Sequence, residues 1–102
     1  MRLKDKVVIV TASTRGIGLA TVEQCAKEGA RVYMAARNLD RAEQQAKRLT
    51  DLGYSVKCVY NDASVEESYL SMAEEVAKDA GRIDVLVNNF GTQVLGGDSW
   101  AH

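Results

Sequence analysis

The residues best placed to do chemistry form one turn, Thr11-Ala12-Ser13-Thr14-Arg15-Gly16-Ile17-Gly18, between an apolar run and a helical pattern. Glycines at 16 and 18 let the backbone approach a bulky anion such as a pyrophosphate, and let the next helix pack tightly on the preceding strand. A helix starting there offers unpaired N–H groups and a partial positive charge to two phosphates. Ser13 and Thr14 add hydroxyl donors, and Arg15 adds a full charge. A glycine pair alone describes a plain turn equally well. Here a strand comes before it and a helix after it, and that context makes the turn a nucleotide cradle.

A second locus lies roughly 20 residues further on. A unit that binds NAD places a carboxylate at the end of its second strand, where it takes the ribose 2′-hydroxyl. That place falls on Ala36, with Arg37 and Asn38 after it. A carboxylate would repel a 2′-phosphate, whereas a guanidinium grips one in a bidentate fork. The arrangement points to NADP(H) in preference to NAD(H), with Arg15 as a second cation. Read without a ligand, Arg37 is a solvated surface arginine. The remaining polar groups are blander. Glu66, Glu67, Glu74 and Glu75 read as solvated helix faces, Trp100 as a loose aromatic, and His102 is the last residue. Cys25 and Cys58 have neither metal nor redox spacing, so both are expected to be reduced and buried, in a cytoplasmic protein.

The elements that position these residues follow from periodicity. Val7-Val8-Ile9-Val10 is continuously apolar, as a strand buried on both faces must be. A helix runs from about Gly16 to Glu28 and ends at Gly29; Arg31 to Ala36 is the second strand. Leu39, Ala42, Ala46 and Leu49 recur at helical spacing, Gly53 stops that helix, and Val56 to Tyr60 is the third strand. Ser64 and Glu67 stand in capping-box positions for a third helix, whose apolar stripe is Tyr69, Met72, Ala73, Val76, Ala77 and Ala80. Gly81 closes it, and Ile83 to Val87 is the fourth strand, ending in Asn88-Asn89.

This βαβαβαβ alternation predicts an α/β, Rossmann-type three-layer fold with a parallel sheet in the order 3-2-1-4. The first two helices then cover one face, the third covers the other, and the ligand crevice opens between the first and fourth strands. Residues 1–91 are expected to form a dinucleotide-binding half-domain and residues 92–102 an irregular tail without period or cap. A chain of 102 residues with 46% apolar and 26% charged residues is one soluble domain at most. Its net charge of -1 argues against a nucleic-acid or membrane partner, and no metal ligands cluster in it.

These residues resemble the short-chain dehydrogenase/reductase family over about residues 5 to 91. The family's glycine motif T-G-x-x-x-G-x-G is matched by Thr11, Gly16 and Gly18, with Ala12 in place of the first glycine. Its acidic residue after the third strand, which contacts adenine, falls on Asp62, followed by Ala63. Taken alone, Asp62 is equally a turn former ahead of Ser64. The family's N-N-A-G motif appears as Asn88-Asn89-Phe90-Gly91. The resemblance implies cofactor contacts at Ser13 to Gly18 including Ile17, at Arg37 and Asn38, at Asp62 and Ala63, and at Asn89 and Gly91. Phe90, Arg37 and the Thr-Arg-Gly-Ile-Gly turn give a narrower likeness to bacterial hydroxysteroid dehydrogenases.

Family members use a serine and a Tyr-x-x-x-Lys motif for catalysis, and no tyrosine here has a lysine four residues on. The resemblance therefore implies the NADP(H)-binding portion of an enzyme that moves a hydride between NADP(H) and an alcohol, ketone or steroid, inactive as this chain and interrupted by truncation or frameshift. The alternatives are a stand-alone NADP(H)-binding or protein-interaction module, and an inert fragment. An apolar fourth-strand edge, with a sheet face covered by one helix only, predicts self-association.

Overall fold

The computed structural model describes residues 3–11, 16–62 and 64–88. Strand β1, Val7–Thr11, is buried along its whole length. Its parallel neighbours are β2 (Arg31–Ala36), in register from Val7↔Arg31 to Thr11↔Ala35, and β4 (Val85–Val87), from Val8↔Val85 to Val10↔Val87. Strand β3 (Ser55–Tyr60) pairs outside β2, which gives the order β3-β2-β1-β4 expected from the sequence.

Alternation along the strands divides the core into two. Val8, Val10, Val32, Met34 and Val56 face α1 (Gly16–Lys27) and α2 (Leu39–Asp51), which contribute Val22, Ala26, Ala46 and Leu49. Val7, Ile9, Tyr33, Ala35 and Val59 face Met72 and Val76 of α3 (Glu66–Ala80). Each full burial of such an aliphatic side chain is worth about 1.5–3 kcal/mol. Two helices on one face and one on the other is the arrangement that right-handed crossovers require.

Several sequence expectations are corrected. Ser64 does not cap α3: the N-cap is Val65, which makes no side-chain cap bond. Instead the Ser64 hydroxyl and N–H both donate to Asp62 Oδ1, at 2.7 and 3.0 Å. A charged acceptor two residues away competes successfully with neutral helix N–H groups. Strand β4 begins at Val85 rather than Ile83. The Asp84 carboxylate accepts from Val7 N at 2.8 Å and from the Arg82 guanidinium, while Asp84 N donates to Val7 O.

The α3 face is better covered than one helix suggested: Val7 and Ile9 are 0% and 1% exposed, and the exposed large apolar side chains of the sheet lie on its two outer strands, Tyr60 on β3 and Val85 and Leu86 on β4. The α3 stripe is narrower than expected, since Ala77 is exposed. The two thiols are free and only partly buried, packed against the α1–α2 core. Burial, with Glu43 nearby, still pushes the Cys58 thiol up to about 11, so it is protonated at neutral pH. The expected tail, 92–102, lies outside the described residues, as do Ser13, Thr14, Arg15, Ala63, Asn89 and Gly91.

Candidate functional site

Parallel pairing gathers the carboxyl ends of all four strands on one edge of the sheet. Thr11 leads into the glycine turn, Ala36 into Arg37 and Asn38, Tyr60 into Asn61 and Asp62, and Val87 into Asn88. The crevice between β1 and β4 is the place where strand order reverses, and a ligand outside the strand ends sits there. Thr11 joins its two sides: the buried hydroxyl donates to Asn88 Oδ1 at 3.0 Å across 77 residues of sequence.

At the head of α1, Gly16 adopts φ 61, in the left-handed region where a residue without Cβ is least strained. Among the described residues, a Cβ built on Gly16 would meet no atom within 4 Å beyond its chain neighbours and the helix's own backbone. The first turn of α1 carries no acidic residue, so nothing there opposes an anion at the positive end of the helix. Gly18 is buried, and Ile17 stands 78% exposed beside it.

The β2 and β3 ends supply the charged part of the site. Arg37 is exposed, with no hydrogen bond or ion pair to the described residues. Asp62 lies within its field: the hydrogen bonds from Ser64, and then the Arg37 charge, hold the Asp62 carboxyl below its ordinary range. Arg37 and Asp62 thus stand just beyond the paired ends of β2 and β3. Asn38 has a structural duty that periodicity did not reveal, since it is the N-cap of α2 and its Oδ1 accepts from Arg41 N at 3.1 Å.

Asn61 escaped the sequence reading altogether. It is 5% exposed, and its Nδ2 is a buried side-chain atom without a partner among the described residues. Nothing in its neighbours' types marks it as buried. Asp84 was legible in principle, as a lone carboxylate within an apolar strand pattern. Among the described residues no cluster of three potential metal ligands occurs, and no helix is long and apolar enough to cross a membrane.

Comparison with known proteins gives this geometry a family. The short chain dehydrogenase family model matches residues 6–100. The chain belongs to that family. Short-chain dehydrogenases bind nicotinamide dinucleotides, in keeping with a cradle followed by a charged strand end. A 7alpha-hydroxysteroid dehydrogenase of Clostridium sardiniense is 53% identical over 90 residues, which are 88% of this chain and 34% of that protein. This chain thus spans about a third of the length of the curated relatives it matches.

Among solved structures, a short chain dehydrogenase from Mycobacterium smegmatis superimposes with a TM-score of 0.82 at 38% identity, over 86% of this chain and 37% of that one. An actinorhodin polyketide ketoreductase solved with NADPH gives a TM-score of 0.78 at 32% identity, over 83% of this chain and 33% of that one.

Proposed function

We propose that this chain holds the adenosine and pyrophosphate end of NADP(H) for an oxidoreductase acting on an alcohol or ketone, with a hydroxysteroid as the substrate class, in the cytoplasm. The observation that carries the reading is Arg37, exposed and without a hydrogen bond or ion pair among the described residues, directly after Ala36, where a carboxylate would serve NAD. The N–H groups at the start of α1 take the pyrophosphate, and Gly16 leaves room for it. Arg37 grips the 2′-phosphate in a bidentate fork, and Asp62 accepts from the adenine amine. A nicotinamide cofactor held there would supply the hydride exchanged with the alcohol or ketone. The steroid assignment draws on the likeness to the Clostridium sardiniense enzyme.

No tyrosine here is followed by a lysine four residues on, so we expect no turnover from this chain alone. Fluorescence titration with NADPH and NADH tests the cofactor assignment. Charge-assisted hydrogen bonds contribute about 1.5–3 kcal/mol, so Arg37 should favour NADPH by roughly ten- to hundredfold. Arg37→Asp should erase or reverse that preference, and an unchanged ratio would remove Arg37 from the site.

A further inference from the structure

Beyond the residues already assigned, the β3 end carries an unexplained donor. Asn61 is 5% exposed, and its Nδ2 is buried without a partner among the described residues. Buried polar atoms in native proteins are nearly always matched, so an unmatched one calls for a cause. The rest of the residue is well fixed. Asn61 N donates to Ala36 O at 3.0 Å, which closes the β2–β3 ladder at the Ala36↔Tyr60 pair and fixes Asn61 at the strand end. Asp62 follows directly; its Oδ1 is occupied by Ser64, and its other carboxylate oxygen has no partner among the described residues. A donor and an acceptor therefore stand next to each other at one strand end.

We infer that Asn61 is a base-reading residue, whose amide nitrogen donates to a ring nitrogen of adenine while Asp62 accepts from the exocyclic amine. The inference rests on the cofactor reading above. Adenine presents that complementary pair, an amine that donates flanked by ring nitrogens that accept. Asparagine side chains read adenine in nucleic acids through the same pairing of donor and acceptor. Because Nδ2 is closed to water in the chain by itself, engagement includes rotation of the amide toward the sheet edge. The unmatched donor destabilises the fold before binding and is satisfied by the ligand, a division expected of a residue selected for recognition rather than stability.

The test uses adenosine 2′,5′-bisphosphate and 5′-AMP, titrated by NMR into this chain and its variants. Asn61→Leu keeps the shape and removes the amide. It should weaken both ligands by the same factor, about three- to tenfold, and raise the ligand-free Tm by several degrees. Arg37→Asp, in contrast, should weaken only the bisphosphate.

A lower Tm in Asn61→Leu would show a structural role and overturn the inference. A loss confined to the bisphosphate would move the partner to the phosphate and overturn it too. Unchanged affinities would overturn it while leaving the cofactor reading in place. If the unaltered chain binds neither ligand, the cofactor reading fails and this inference with it. Should Asn61→Leu fail to fold, the Asn61 side-chain NH2 signal of the unaltered chain decides. It should shift on 5′-AMP addition, and an unmoved signal at saturation overturns the assignment.

Discussion

At Gly16 the penalty for a side chain comes from two separate sources. A φ of 61 disfavours any L-residue, by about 1–2 kcal/mol, yet among the described residues no atom beyond the chain neighbours and the helix's own backbone lies within 4 Å of a built Cβ. On the proposed reading, the space it would fill is the space the pyrophosphate needs. Gly16→Val should therefore keep the circular dichroism spectrum, lower Tm modestly and abolish NADPH binding in a titration; tight binding by the folded variant would move the site elsewhere. Gly16 and Arg37 were legible in sequence as candidates by their type and spacing, and Asp62 through the family resemblance. Asn61 and the Asp84–Val7 tie were not. Burial and partnership at those positions are decided by strand register, which for Asp84 joins residues 77 apart.

Helix α3 shows what register does for a whole element. Asp79, in its last turn, accepts from the Tyr33 hydroxyl of β2 and from Lys57 Nζ of β3 at 2.9 Å. Burial first, and then the Asp79 carboxylate, push the Tyr33 hydroxyl from 10.0 up to about 12. Between those values the folded chain keeps a proton that the unfolded chain releases, so stability falls as pH rises. Urea unfolding should show this contribution intact below pH 10 and fading toward pH 12; Tyr33→Phe should flatten that part of the profile. Nearer the middle of the helix, Met72 is 2% exposed, and Met72→Ala should cost about 2–5 kcal/mol in the same measurement. Helix and strand types were legible because apolar periodicity survives on any well-packed face. The start of α3 was misread because a capping box and an Asx turn use the same residue types, and the Asp62 carboxylate took Ser64 first.

For the molecule as a whole, the informative contrast lies between the two sides of β1. Toward β2 it pairs along all five residues, whereas toward β4 it pairs along three, and Val85 and Leu86 of that strand are 40% and 44% exposed. An apolar strand at the edge of the described sheet can recruit another chain, so sedimentation should show concentration-dependent association that Leu86→Lys reduces. A monomer at all concentrations would refute it. The strand order itself was readable, because crossover handedness leaves few ways to fold alternating strands and helices. That order has a consequence for how the protein is born. The ribosome releases β1 first, yet the strand keeps one bare flank until residues 84–88 emerge, when Asp84 grips Val7 and Asn88 meets Thr11. Of the four described strands, β1 is thus made before the others and is the last interior strand to gain its second neighbour. Until then the nascent segment carries β1 as an open border, with only half of the crevice in existence.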